Sequence, residues 1–162
     1  MITDQLTSEN ARERLEEAVT ALRRYPGRFC GRGIVICGGG LKYFPCVWVC
    51  VNMLRRMGCS LPIQNWHLGP REMTEPMKAR LASLGVECVD AYKIRRRHPA
   101  RILNGWEVKP YAMLHCPFEE VLLLDADNVA VVNPEFLFET APYRESGAIF
   151  WPDSVSYTHL RA

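Results

Sequence analysis

The stretch Val121-Leu-Leu-Leu-Asp125-Ala-Asp127-Asn128 decides the fold that we expect for this chain. Four consecutive apolar residues bounded by polar ones predict a β-strand that is buried on both faces. Because side chains alternate along an extended backbone, Asp125 and Asp127 are expected on the same side at the strand's exit. Two close carboxylates repel each other unless a cation or a proton lies between them. Hard cations such as Mg²⁺ bind one or two carboxylates together with substrate phosphates, so the motif predicts a metal site.

A glycine-rich turn follows another short strand nearer the amino terminus. Residues 33–37 are typical of a buried strand, Gly38-Gly39-Gly40 follow at once, and an apolar helix is expected over 43–57 with Pro45 in its first turn. Strand, glycine turn and helix form the usual nucleotide-binding start of an α/β sheet. The turn has neither the G-x-G-x-x-G spacing nor the P-loop pattern, so it indicates a nucleotide without specifying which one.

Strands and helices alternate along the rest of the chain. We expect helices over 8–25, 74–84, 106–115 and 135–140, further strands over 61–69, 86–90 and 147–151, a β-prone stretch at 129–132 and a loop over 92–104. The 8–25 helix is expected to pack on the flank of the domain, and the 106–115 helix to carry an apolar stripe of Trp106, Met113 and Leu114. This alternation predicts a mostly parallel sheet with helices on both faces.

Polar residues follow several of these strands directly. Ligands of parallel α/β sheets lie beyond the carboxyl ends of the strands. We therefore expect one rim of the sheet to collect Gly38, Gly39, Gly40, His67, Asp125, Asp127 and Asp153.

Composition narrows the class of protein. The 162 residues, 48% apolar and 23% charged, suit one globular domain, and a net charge of +2 is too small to indicate nucleic-acid binding. Seven cysteines without a C-x-x-C pair favour free thiols in a reducing compartment over disulfides or zinc. The first residues lack a signal-peptide pattern, and the longest apolar stretch, 44–53, is too short to span a membrane. We therefore expect a cytoplasmic protein without a membrane segment.

Four stretches together resemble the family of the fungal Golgi α-mannosyltransferases (glycosyltransferase family 71). They are, in chain order, GIVICGGGLKYFP (33–45), LRRMGCSLPIQNWHLG (54–69), GWEVKPYAMLHCPFEEVLLLDADNVAVVNPEFLF (105–138) and GAIFWPD (147–153). The resemblance implies a GT-A fold and a retaining, Mn²⁺- or Mg²⁺-dependent transfer of a hexose from a nucleotide sugar to a glycan or other hydroxyl acceptor. It implies GDP-mannose as the donor, while UDP-sugars stay open.

The resemblance also assigns roles to individual residues. Asp125 and Asp127 would hold the metal, and Lys109 is placed like the lysine that faces the donor in the glycogenin-like GT-A families. A diphosphate leaving group needs a metal and a cation to neutralise its growing charge, so these three residues are predicted to be catalytic. Contacts to the nucleotide sugar would come from Lys109 and from Gly38, Gly39, Gly40, Lys42, Tyr43, His67 and Asp153.

The resemblance sets the expected domain boundaries as well. We expect a flanking helix within 1–29, an incomplete GT-A domain over 30–154 and a non-native, adapter-derived tail over 155–162. The GT-A domain is expected to be incomplete because the family continues past Asp153. The fungal enzymes carry an N-terminal membrane anchor, and none is expected from this sequence, so their Golgi location is not carried over.

Two alternative interpretations stay open at this point. Residues 125–129 match the D-x-D-x-[TV] motif of haloacid-dehalogenase-type phosphatases, in which Asp125 would attack phosphorus and Asp127 would act as acid and base beside Mg²⁺. That motif normally opens its domain, whereas here more than a hundred residues precede it. The other alternative is a metal-free, non-catalytic α/β module in which the two carboxylates cap a turn.

Overall fold

A computed structural model describes residues 8–21 and 27–150. In chain order its elements are α1 (Ser8–Ala21), β1 (Arg32–Cys37), α2 (Gly40–Arg56), β2 (Ile63–His67), α3 (Glu75–Ala82), β3 (Val86–Asp90), α4 (Ala91–Arg95), α5 (Val108–His115), β4 (Glu120–Asp125), a 3₁₀ helix (Pro134–Glu139) and α6 (Ala141–Ser146). No helix within these two ranges is long and apolar enough to cross a membrane.

The four strands form one parallel sheet in the order β3-β2-β1-β4. The chain runs outward from β1 through β2 to β3 and then crosses to β4 on the other side of β1. The strand order therefore reverses between β1 and β4, and ligand crevices of open α/β sheets form beyond the carboxyl ends at such a reversal. The observed α/β fold, a parallel sheet flanked by helices, confirms the predicted class and is consistent with the GT-A type.

Alternating side chains of β1 place a hydrophobic layer on each face of the sheet. Ile34 and Ile36 are fully buried with the apolar side of α2, and Val35 is fully buried on the other face with Tyr111 and Ala112 of α5. In the described part of the sheet β4 is an edge strand, so it is only partly buried. The predicted burial of β4 on both faces is therefore wrong for most of its length, with Leu122 the exception.

The order of elements matches the prediction, but several details differ. The helix of α2 begins at Gly40 and not at Tyr43, which places Pro45 inside the helix and beyond its first turn. The predicted loop over 92–104 contains most of α4, because Asp90 accepts a hydrogen bond from the backbone N–H of Tyr92 and caps a short helix. Residues 129–132 and 147–150 are not strands, and Trp151 lies outside the described residues.

Two helices bury less apolar surface than their sequences indicate. In α1 the predicted helix is present, but Leu15 and Val19 are 63% and 57% exposed, so they do not form the expected packed face. In α5 the predicted apolar stripe is wrong: Trp106 precedes the helix, and Met113 and Leu114 are exposed. The helix starts only at Val108 with Pro110 in its first turn, so its buried residues are Val108, Tyr111 and Ala112.

Arg55, near the end of α2, ties that helix to the turns that precede β2 and β3. Its guanidinium donates hydrogen bonds to the carbonyl oxygens of Cys59 and Leu61, both at 2.9 Å, and of Leu84 at 3.0 Å. One side chain therefore fixes both turns at the amino end of the sheet.

We expect Arg55→Lys to lower the free energy of unfolding by about 2 kcal/mol, because a lysine keeps the charge but cannot reach three carbonyls with a planar fork. Urea titration measures the change. Arg56→Lys is the matched control, since this neighbouring side chain is exposed, and it should stay within about 0.5 kcal/mol of the parent. Equal losses for the two variants would contradict the role of Arg55.

Candidate functional site

A cleft of about 250 Å³ opens at the carboxyl ends of β1 and β4, where the strand order reverses. The register of the sheet pairs Cys37 with Asp125, so the turns that follow these two strands are neighbours. The cleft is lined by Cys37, Gly38, Tyr43, Trp66, Leu68, Glu72, Gly105, Trp106, Val108, Lys109, Asp125, Ala126 and Asp127.

An ion pair between Lys109 and Asp125 lies at the centre of the lining. Lys109 comes from the first turn of α5, which packs on β1, and its Nζ contacts Asp125 Oδ1. The same ammonium lies 4.7 Å from the ring centroid of Trp106. The Lys109 side chain is 24% exposed and that of Asp125 is 49% exposed, so the pair faces the cleft and is partly shielded from water.

Asp127 reaches the cleft by a turn and not along an extended strand. The chain bends after β4, because the backbone N–H of Asn128 donates to the carbonyl oxygen of Asp125 at 3.0 Å. Ala126 is buried in this turn, whereas both carboxylates line the cleft. The structure thus brings Asp125 and Asp127 together as predicted, although the predicted reason, period-two alternation, does not apply.

The glycine turn packs closely against its surroundings. A Cβ atom on Gly38 would lie 2.9 Å from Val47 Cγ2 and 3.1 Å from Ala126 Cβ, and Gly40 has a φ of +67° that favours glycine. The backbone N–H of Gly38 donates to the carbonyl oxygen of Trp66, and that of Gly40 donates to the carbonyl oxygen of Glu72. These two amides therefore form hydrogen bonds within the protein. Because the turn has no side chains, neighbouring chain segments pack closely against its backbone beside the cleft.

Glu72 and Trp106 also line the cleft but were missed in the sequence. Glu72 lies in the loop after β2, where its carboxylate accepts a hydrogen bond from the backbone N–H of Leu68 at 2.5 Å. Trp106, which the sequence places in an apolar helix stripe, is 80% exposed in the turn before α5. The rule that found the aspartates, polar residues just beyond a strand end, could have found Glu72, whereas no sequence signal separates Trp106 from a core residue.

Four predicted ligand contacts are absent from the cleft lining: Gly39, Gly40, Lys42 and His67. His67 is 1% exposed in β2; its Nδ1 is 3.0 Å from the carbonyl oxygen of Gly69, and burial lowers the pKa of its imidazole. Lys42 is exposed, with its ammonium 4.8 Å from the ring centroid of Tyr43, and Gly39 packs against Glu72. Asp153 lies outside the described residues.

The side-chain oxygens of the cleft suit a hard cation whose remaining ligands come from phosphate and water. No group of three or more His, Cys, Asp or Glu side chains that could hold a metal occurs within 8–21 and 27–150. Among the cleft's carboxylates, Glu72 accepts a hydrogen bond from the backbone N–H of Leu68, which leaves Asp125 and Asp127 as the neighbouring pair of oxygen donors; burial raises the pKa of the Cys37 thiol to about 12 and keeps it protonated. Two carboxylates suit Mg²⁺ or Mn²⁺ completed by phosphate and water, and they do not suit a structural zinc site.

Comparison with known proteins assigns the chain to a family. A family described as "Mannosyltransferase putative" matches residues 31–161. The chain belongs to this mannosyltransferase family. It is 30% identical over 140 residues to the alpha-1,2-mannosyltransferase MNN2 of Saccharomyces cerevisiae. This alignment covers 85% of this chain and 23% of that protein. The Candida albicans alpha-1,2-mannosyltransferases MNN24 and MNN23 are 30% and 32% identical, over 90% and 75% of this chain and 20% and 21% of their own lengths.

Membership of the mannosyltransferase family confirms the resemblance seen in the sequence. The matched region includes every residue that lines the cleft. The chain spans about a fifth of the length of the curated relatives that it matches. The phosphatase alternative is not favoured by this membership. The cleft residues Gly38, Lys109, Asp125 and Asp127 all fall within the matched region.

The reactivity of Cys37 tests whether burial at the end of β1 keeps its thiol protonated. With a pKa near 12, the thiolate fraction at pH 8 is on the order of 10⁻⁴, so alkylation by iodoacetamide should be very slow. Cys30 is exposed and provides the internal control in peptide mapping of the folded protein. Modification of Cys37 as fast as that of Cys30 would show that the thiol is neither buried nor held protonated.

Proposed function

We propose that this protein transfers mannose from a nucleotide sugar to a hydroxyl group of a glycan, with Mn²⁺ or Mg²⁺ held at Asp125 and Asp127. The observation that carries the proposal is the convergence of Lys109, Asp125 and Asp127 on one cleft at the strand-order reversal of a mannosyltransferase-family chain. GDP-mannose is the first donor to test, and UDP-sugars are the alternative donors. A retaining outcome is part of the proposal through the family resemblance.

The chemistry assigned to the cleft is stabilisation of a leaving diphosphate. A divalent cation at the two carboxylates would neutralise charge that develops on the phosphate oxygens. Lys109 would donate to the same diphosphate, because its ammonium lines the cleft beside Asp125. The close-packed glycine turn would hold the end of β1 beside the two carboxylates, since a Cβ atom on Gly38 would clash with Val47 and lie 3.1 Å from Ala126 Cβ.

The names of the relatives suggest the linkage to test. The Saccharomyces and Candida proteins are named alpha-1,2-mannosyltransferases. For this chain we therefore propose that the 2-hydroxyl of an acceptor mannose is the attacking group. The exposed indole of Trp106 at the cleft's mouth is the described surface most suited to an apolar sugar face.

We expect Asp125→Asn and Asp127→Asn each to weaken the Mn²⁺-dependent part of nucleotide binding by at least about 100-fold, because each removes a charged oxygen ligand of the cation. Calorimetry with GDP and with UDP, in Mn²⁺ and in EDTA, measures that part directly. Glu119→Gln is the matched control: it removes an exposed carboxylate just before the start of β4, at the opposite end of the strand from Asp125, and should leave binding unchanged.

The activity itself is tested by transfer assays with GDP-mannose and UDP-sugars on α-mannoside acceptors. We expect product only with a divalent cation present, and a 1,2-linkage by NMR. Undiminished transfer in excess EDTA would contradict the metal-dependent mechanism. A covalent aspartyl-phosphate trapped at Asp125 would instead support the phosphatase alternative.

A further inference from the structure

The Lys109–Asp125 ion pair occupies one of the two carboxylates that the proposed function assigns to the metal. Lys109 Nζ contacts Asp125 Oδ1, and the pair is only partly exposed, with side-chain exposures of 24% and 49%. An ion pair shielded in this way is worth more than a fully exposed one, because water screens it less. A cation that enters the cleft alone must therefore displace the ammonium from Asp125 or bind Asp127 without it.

The backbone of Lys109 is held in place by α5, whereas its ammonium has two alternative partners. Val108, Tyr111 and Ala112 hold the start of α5 in the hydrophobic layer over β1, so the lysine stem leaves a rigid helix turn. At the other end, the ammonium lies between Asp125 and the Trp106 ring, whose centroid is 4.7 Å away. The ring face offers the ammonium a second favourable partner, so leaving Asp125 does not leave the charge unsupported.

We propose that Lys109 is an internal counter-ion for Asp125, and that the ammonium moves from Asp125 to the diphosphate when cation and nucleotide bind. Each ligand then helps the other, because the nucleotide releases Asp125 for the cation and the cation releases Lys109 for the nucleotide. This inference rests on the proposed function and adds a positioning role for the ion pair: it keeps either ligand alone weakly bound.

This exchange of partners by Lys109 predicts that nucleotide binds more tightly once the Asp125 carboxylate is removed. Without metal, Asp125→Asn releases Lys109 to the diphosphate, so GDP measured in EDTA should bind about tenfold more tightly than to the parent. Asp127→Asn is the matched control, because it removes one negative charge from the same cleft but leaves the Lys109 partner in place. Its gain should be no more than about twofold, and Asp125→Asn combined with Lys109→Met should show no gain.

The reciprocal measurement uses the metal alone. We expect Lys109→Met to bind Mn²⁺ without nucleotide about tenfold more tightly than the parent, as measured by the electron paramagnetic resonance signal of free Mn²⁺. Lys109→Arg should stay close to the parent, because arginine restores a cation that pairs with Asp125. Lys93→Met removes the same charge from exposed α4, beyond the opposite edge strand β3, and should change nothing.

Failure of the exchange and failure of the proposed function give different results. If the parent binds GDP or UDP with Mn²⁺ but Asp125→Asn and Asp127→Asn behave alike in EDTA, the exchange is overturned and the metal site stands. The same holds if Lys109→Met binds Mn²⁺ no better than the parent. If the parent binds neither nucleotide in Mn²⁺ while its circular dichroism and thermal unfolding are those of a folded protein, the proposed function is overturned and the exchange with it.

Discussion

The parallel pairing of β1 with β4 is the constraint on which the site depends. It aligns Cys37 with Asp125 on neighbouring strands, a separation of roughly 4.8 Å in such sheets. The glycine turn after β1 and the aspartate turn after β4 therefore leave the sheet side by side. Because α5 packs on one face of the same two strands, the Lys109 side chain reaches Asp125 from that face. A one-residue shift of this register would send Asp125 to the other face of the sheet.

Close packing at this junction explains its small residues. Gly38 has room for a hydrogen only, since Val47 and Ala126 fill the space that a Cβ would need. The amides of Gly38 and Gly40 hold the turn to β2 and its following loop, which also carries Glu72 into the cleft. The glycine turn thus lets three chain segments pack closely together: the start of α2, the turn after β4 and the loop after β2.

The sequence predicted the parallel sheet, the pairing of Asp125 with Asp127 and the meeting of both with Lys109, because each follows from strand ends or from a family motif. It could not predict which side chains of a short helix are buried. Met113 and Leu114 are apolar but exposed, since the true start of α5 at Val108 decides which residues face the sheet. His67 was misplaced for a related reason: a strand end marks the rim, but the direction of the side chain decides whether the residue reaches the cleft.

In the proposed exchange Asp125 changes partners, from the Lys109 ammonium to a divalent cation that carries the diphosphate. A crystal structure of the protein with Mn²⁺ and GDP, with anomalous data collected for manganese, tests this most directly. We expect one anomalous peak bound by Asp125, Asp127 and phosphate oxygen, with Lys109 Nζ moved from Asp125 to the diphosphate. A manganese ion bound elsewhere, or an intact Lys109–Asp125 pair beside bound Mn²⁺ and GDP, would contradict it.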